Sequence, residues 1–283
     1  NVVLGANEKF NIIDHLDKQA TNGKAHIENG HIKEVKEFIP SFSANDRTRT
    51  FLKVQDGCDY FCSFCTIPLA RGRSRNQSVD ETLMVAKEAA ATGVKEIVLT
   101  GVNIGDFGQG EGEDFHALIS ALDGIQGVER FRISSIEPNL LSDEIIDFVA
   151  NSKKFVPHFH IPLQSGDDEI LTKMRRKYLS DLYVDRISRI KEQMPNSCIG
   201  VDVIVGFPGE TEEHFLTTYN FLNALDISYL HVFPYSERNN TTAKKMQGKV
   251  TKAEKTERAQ RLRILSAKKK RYFYETQVGR EME

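Results

Sequence analysis

The chain has 283 residues, 40% of them hydrophobic and 28% charged, with 38 basic against 40 acidic side chains for a formal net charge of −2. That balance excludes a disordered polyelectrolyte and leaves room for one large domain with terminal appendages. No apolar run reaches the length of a membrane span and no signal-peptide pattern opens the chain, so the default expectation is a cytoplasmic protein.

In chain order, residues 1–20 begin extended and then predict a short helix on the spacing of Phe10, Ile13 and Leu16. Residues 21–49 are polar and without period, which predicts a linker wrapping the domain. From Arg49 onward strands alternate with helices. Strand-like runs fall at Thr50–Gln55, Glu96–Thr100, Arg130–Ser134, His158–Leu163, Ile199–Val205 and Tyr229–Phe233. Between them, Ser78-x-x-Glu81 forms a capping box ahead of Leu83, Ala86, Ala89 and Ala90, with Gly93 as a stop. Phe115, Leu118, Ile119 and Leu122 mark the next helix. Ser142 caps one presenting Ile145, Ile146 and Val149. Tyr183, Ile187, Ile190 and Met194 mark another, and Phe215, Leu222 and Leu225 the last before the C-terminal segment. Such alternation indicates βα units and a parallel sheet. Six units are too few for a closed eight-stranded barrel, so the expected fold is α/β, an open partial (β/α)6 barrel.

Function in a parallel barrel sits at the C-terminal ends of the strands, and the first strand runs directly into Gly57-Cys58-Asp59-Tyr60-Phe61-Cys62-Ser63-Phe64-Cys65. Three of the four cysteines lie here, spaced C-x3-C-x2-C; the fourth, Cys198, lies in an apolar run and reads as a small buried residue. Closely spaced thiolates on a loop suit an iron–sulfur cluster. A [4Fe–4S] cluster held by three thiolates keeps one iron open to a small molecule. Structural zinc wants a second ligand pair, and none follows downstream. A disulfide would leave an odd cysteine, and cysteine is sparse.

Cys58-x3-Cys62-x-Phe64-Cys65 resembles the cluster motif of radical S-adenosylmethionine (SAM) enzymes. Thr66-Ile67-Pro68-Leu69-Ala70-Arg71-Gly72-Arg73-Ser74-Arg75, Pro162-Leu163-Gln164-Ser165-Gly166 and Val203-Ile204-Val205-Gly206-Phe207-Pro208-Gly209-Glu210-Thr211 resemble the methylthiotransferase branch. Leu99-Thr100-Gly101-Val102-Asn103-Ile104-Gly105-Asp106-Phe107-Gly108 and Ser135-Ile136-Glu137-Pro138 look most like the tRNA subgroup that acts on N6-threonylcarbamoyladenosine beside the anticodon. The isopentenyladenosine and ribosomal-protein subgroups are the alternatives. A non-catalytic metal-binding RNA module is the rival of a different class. Asn239-Asn240-Thr241 departs from the Pro-Gly-Thr usual in the family, which touches a loop turn.

The resemblance implies a barrel of radical SAM type, a radical SAM transferase activity, one [4Fe–4S] cluster on Cys58, Cys62 and Cys65, and SAM on its open iron. It also implies a tRNA anticodon stem-loop as partner and an electron donor such as flavodoxin or ferredoxin, with no membrane. Residues 1–48 then read as the exit of an N-terminal domain and a linker, 49–243 as the barrel, and 244–283 as a basic helix leading to an RNA-binding domain. A second [4Fe–4S] cluster belongs to that N-terminal domain, so the present chain is expected to cleave SAM without completing sulfur transfer.

For SAM itself, the resemblance points to the Phe64 backbone for the adenine and to Gly101 and Asn103 near the amino group, although the usual Glu is missing there. Ser135 or Glu137 would take the ribose hydroxyls, since a carboxylate suits two O–H donors. Gln164 matches a family position at the mouth. Arg175 or Arg176 would pair with the SAM carboxylate or an RNA phosphate. The loop at Gly206–Gly209 would approach the adenine, and Asp202 is either structural or functional.

Twelve Lys and Arg between Lys244 and Arg271 face only Glu254 and Glu257 within that stretch. Leu262, Leu265 and Tyr272-Phe273-Tyr274 give it an apolar side, so a helix packed on the barrel is expected, with either a solvated face or RNA contact for the charge. Arg71, Arg73 and Arg75 would add phosphate contacts near the mouth.

Overall fold

The six strand-forming runs become six parallel strands whose order in the chain is their order in space. The computed structural model describes residues 2–6, 8–19, 25–28, 30–32, 35–43, 48–108 and 112–281. Its strands are β1 (Val2–Leu4), β2 (His26–Glu28), β3 (Ser41–Phe42), β4 (Arg49–Lys53), β5 (Glu96–Thr100), β6 (Arg130–Ile133), β7 (His158–His160), β8 (Cys198–Val205) and β9 (Tyr229–Pro234). The α-helices are α1 (Ile12–Gln19), α2 (Ile67–Arg71), α3 (Val79–Ala91), α4 (Phe115–Asp123), α5 (Asp143–Asn151), α6 (Asp168–Lys173), α7 (Ser180–Gln193), α8 (Glu212–Ala224) and α9 (Lys252–Glu275).

β4, β5 and β6 pair in parallel, as do β7, β8 and β9. The two groups stay adjacent through a parallel bridge between Phe131 and Phe155 and an Ile136 N–H donating to the His160 carbonyl at 3.0 Å. No ladder joins β9 to β4 among the described residues, so the barrel is open. β3 adds an antiparallel edge to β4 inside the segment expected to be irregular. β1 and β2 form a separate parallel pair.

Along β8, Ile199, Val201, Val203 and Val205 are fully buried and share one core with residues of the surrounding helices, such as Ala86, Leu118, Ile187 and Leu222. The alternate residues Cys198, Asp202 and Ile204 are half-buried on the opposite face. A closed barrel fills that inner face with branched aliphatic side chains; here it stays partly open and polar.

The helix starts follow the capping chemistry. The Ser78 hydroxyl accepts from the Glu81 N–H while the Glu81 carboxylate accepts from the Ser78 N–H, and Ser142 caps α5 through the Ile145 N–H. α1 forms where expected, but Phe10, Ile13 and Leu16 are exposed. α9 packs on β9 through an apolar side of Ala259, Leu262 and Leu265, to which the exposed Tyr272 and Tyr274 do not contribute.

Candidate functional site at the barrel mouth

The loop after β4 is braced from below. Gly57 has φ +74°, and a Cβ there would stand 1.8 Å from the Arg73 carbonyl oxygen, so only glycine lets the two segments close on each other. Asp56, 1% exposed, is the hub of this base. Its carboxylate accepts from Arg71 Nε at 2.6 Å and pairs with Arg75 at 3.1 Å and Lys9 at 3.6 Å. Burial alone would raise Asp56, but the Arg71 hydrogen bond and the Arg71 and Arg75 charges hold it below the usual carboxylate range. Arg71 and Arg75 are therefore tied to the fold through Asp56, and of the three expected phosphate contacts Arg73 is the most exposed, paired with Asp59. The top of the loop is tied by Ser63, whose N–H and hydroxyl donate to the carbonyls of Met174 and Lys173 at 3.0 and 2.8 Å.

Cys58, Cys62 and Cys65 are all half-buried and face one cavity of about 270 Å³. Each sulfur accepts a hydrogen bond: Cys58 from the Tyr60 N–H and Cys65 from the Ile67 N–H, both at 3.4 Å, and Cys62 from the Arg176 guanidinium at 3.2 Å. Burial pushes the Cys58 thiol up to about 12 and raises Cys62 as well. Three thiolates this close and this dry need a cation among them, while the N–H donors already suit sulfur that carries negative charge. The residues present fit an iron–sulfur cluster.

Phe64, Asn103, Ser135, Glu137 and Gln164 line the same cavity, so the structure brings together five of the seven expected SAM contacts. Asn103 is 5% exposed; its Nδ2 donates to Asp106, while its Oδ1 is buried with no hydrogen-bond partner among the described residues. An unpaired buried acceptor beside the thiols is a fitting place for an ammonium group. Gln164 holds a left-handed backbone at φ 70°, uncommon for a side chain of its size, and its carbonyl and N–H bond Ile204 and Asp202 of β8.

Gly101 and Arg175 are not among the lining residues. Gly101 instead allows tight packing, since a Cβ there would meet Ile104 at 2.7 Å and Gln55 at 3.0 Å. Arg175, exposed at φ 59°, occupies the left-handed turn that ends α6, and the Arg176 N–H bonds the Leu171 carbonyl. This helix-ending turn carries Arg176 inward. Arg176 lines the cavity with a side chain 3% exposed, ion-pairs with Glu137 and stacks over Tyr178. Burial would lower Arg176, but the Glu137 carboxylate together with Tyr178 and Cys62 more than offsets it. Burial raises Glu137, opposed by the Arg176 charge.

Sequence reasoning missed Tyr60 and Asp106. Tyr60 lines the cavity and accepts from Asn139 Nδ2; burial pushes its hydroxyl up to about 12. Asp106, 1% exposed, is raised to about 6 by burial despite the Asn103 hydrogen bond. Only an acid inside the quoted run 99–108 hinted at it. The 206–209 loop does not reach the cavity. A Cβ at Gly206 would meet the Lys255 stem at 2.3 Å, and the Gly209 N–H donates to Gly248, so this loop seats the C-terminal segment. Asp202 lines the cavity and accepts from His160 Nε2 at 2.9 Å. Cys198 is half-buried at the start of β8, less enclosed than expected.

The basic C-terminal stretch is also answered by acids from elsewhere. Arg258 forms a buried pair with Glu210 at 2.8 Å, Arg261 pairs with Glu212 and Lys249 with Glu237, and Lys269 caps α8 through the Asn223 and Leu225 carbonyls. Lys252, Lys268 and Lys270 remain exposed.

An open parallel barrel with three thiols and a polar cavity at its mouth defines a cluster-dependent SAM enzyme, and a model of the radical SAM superfamily matches residues 52–222. Among solved structures, coproporphyrinogen III oxidase from Escherichia coli, a radical SAM enzyme, shares the fold at a TM-score of 0.58 and 15% identity, over 77% of this chain and 52% of that one. The chain belongs to the radical SAM superfamily and, within it, to the methylthiotransferase family. It is 42% identical, over 98% of its length, to threonylcarbamoyladenosine tRNA methylthiotransferase from Bacillus subtilis, and 38% identical over its whole length to the protein of that name from Aquifex aeolicus. The chain spans 63% and 69% of those two relatives.

Proposed function

We propose that this chain is the SAM-cleaving part of a tRNA methylthiotransferase that adds a methylthio group at C2 of N6-threonylcarbamoyladenosine. The observation that carries the reading is the meeting of three hydrogen-bonded thiols with the unpaired Asn103 Oδ1 around one cavity. When bound to Cys58, Cys62 and Cys65, a [4Fe–4S] cluster supplies the electron that splits SAM into methionine and a 5′-deoxyadenosyl radical.

The chain's own residues hold and shield. Asn103 Oδ1 accepts from the SAM amino group. The buried Arg176 neutralises charge beside Cys62 and, as the one of the two arginines that lines the cavity, would meet the SAM carboxylate. Ser135 and Glu137 take the ribose hydroxyls, Gln164 offers its amide at the mouth, and Phe64 walls the adenine side. Gly101 and Arg175 support this site from outside its lining, Gly101 by close packing and Arg175 by turning the chain after α6.

We assign residues 1–48 to the exit of a preceding domain and a linker, 49–243 to the barrel and 244–283 to a helix that leads toward RNA contacts. Only four cysteines are present, three of them on the loop. A second cluster serving as the sulfur source would need thiolates outside these 283 residues. The tRNA anticodon stem-loop is the partner, a flavodoxin or ferredoxin the electron donor, and the cytoplasm the site of action. No helix among the described residues is long and apolar enough to cross a membrane.

The test is anaerobic reconstitution with iron and sulfide, followed by reduction with SAM. About four irons per chain and 5′-deoxyadenosine that disappears in Cys62→Ala are expected, with no 2-methylthio product from this chain alone. Bound zinc, or a cluster inert to SAM, would overturn the reading.

A further inference from the structure

Behind the SAM cavity the inner face of the last three strands carries polar side chains that the cleavage of SAM does not use. Asp202 belongs to both regions: it lines the cavity and accepts from His160 Nε2 at 2.9 Å. His231 is its register partner on β9, and the His160 and His231 rings meet edge to face with centroids 5.4 Å apart. One ligand atom from each of His160, Asp202 and His231 lies within 4.8 Å of the others. One layer down, Gly200 leaves space for the Tyr229 ring, since a Cβ there would stand 2.3 Å from it, and the Tyr229 hydroxyl reaches His158 Nε2 at 3.2 Å. His231 is exposed, so this group of polar side chains meets solvent at the open edge of the sheet beside β9.

A face meant for an apolar group would carry valine and isoleucine, as the outer face of β8 does. This one presents an acceptor-only carboxylate, two imidazoles and a phenol. We propose that His160, Asp202 and His231 read the N6 substituent of the target adenosine and select a hydroxy-acid type of group, one bearing N–H and O–H donors together with a carboxylate. The inference rests on the tRNA reading above. Asp202 accepts from the substituent's N–H or O–H, and His231 donates to its carboxylate. A prenyl substituent would strip water from these side chains and return no hydrogen bond. A site built to hydrogen-bond its ligand rejects the analogue lacking those groups by about tenfold or more.

The test measures affinity of the reconstituted chain for three synthetic anticodon stem-loops, carrying adenosine, N6-threonylcarbamoyladenosine or N6-dimethylallyladenosine, by fluorescence anisotropy. The wild type should bind the threonylcarbamoyl RNA about tenfold tighter than the dimethylallyl one. His231→Leu should bring that ratio close to one, and His231→Asn should retain part of it. A variant that misfolds loses all three affinities together, so the ratio is the readout. RNA binding without selectivity, or selectivity unchanged in His231→Leu, overturns the substituent site and leaves the tRNA reading standing. No binding of any stem-loop by the wild type overturns the tRNA reading itself.

Discussion

Replacing Arg176 by alanine probes the site most directly, because this side chain joins the cluster loop to the opposite wall. It donates to Cys62 Sγ at 3.2 Å and to the Tyr178 hydroxyl at 3.1 Å, and it pairs with Glu137. With side-chain exposures of 3% and 17%, little water is available to replace the guanidinium beside Glu137. Breaking a buried pair from one side costs about 3–5 kcal/mol. The carboxyl can escape by taking a proton, which from an ordinary glutamate value costs about 3.7 kcal/mol at pH 7 and about 1 kcal/mol at pH 5. Arg176→Ala is therefore expected to lose about 3–4 kcal/mol at pH 7 and distinctly less at pH 5. The sign follows from linkage: without its partner Glu137 binds its proton more tightly folded than unfolded, so the penalty grows as pH rises. Pairing Arg176→Met with Glu137→Gln should recover about half of the loss at pH 7. Urea unfolding of the three proteins, wild type included, at the two pH values measures this. In the reconstituted protein, the lost donor and charge should shift the cluster potential downward. A loss below about 1 kcal/mol at pH 7, or one equal at both pH values, would refute the buried-pair reasoning.

Two further predictions concern titration and the loop. Asp106 is raised to about 6 and His158 lowered to about 4, both by burial, so their contributions to stability slope in opposite directions between those values. Asp106 favours the fold at the acid end and loses that as pH rises toward 6, whereas His158 loses stability as pH falls from its unfolded value toward 4. Relative to wild type, Asp106→Asn should gain stability with rising pH and His158→Gln should lose it, each by about 1.4 kcal/mol per pH unit; parallel curves for all three proteins would contradict both assignments. Gly57→Ala must move either its φ of +74° or the Arg73 carbonyl, and should cost about 2–4 kcal/mol and most of the bound iron; iron retained at wild-type levels would show that the loop has slack.

The barrel was legible because its strands are buried on their outer face and bounded by capping signals. All six runs appear as strands, and Ser78, Ser142 and Thr211 cap the helices they precede. The cysteine loop was legible from spacing alone. What escaped depends on placement that no local pattern encodes. The choice between Arg175 and Arg176 turns on one left-handed residue, usually a glycine, that happens to be arginine. Asp106 reaches Asn103 behind the cavity wall through a short 3₁₀ turn, Ile104–Asp106. The basic stretch looked unpaired because Glu210, Glu212 and Glu237 come from outside it. Arg71 and Arg75 looked free for RNA because Asp56, on another segment, was not seen as their shared partner.

The division of labour across the sheet explains how this site is tolerated. A polar inner face costs stability wherever it is sealed from water, because each donor and acceptor must then find a partner inside. Here most of the aliphatic residues of β4–β9 point outward into one helix-covered core, which holds the fold without help from the lumen. The sheet stops at β9, so the inner residues nearest the gap, His231 and Phe233, keep solvent contact. The deeper ones pair with each other, as His160 does with Asp202 and His158 with Tyr229. Closing the barrel with two more strands would bury His231 and leave no route for a substrate the size of a nucleotide. Stopping at six strands keeps the polar lumen stable and open, with the thiol loop after the first strand and the His231 imidazole on the last.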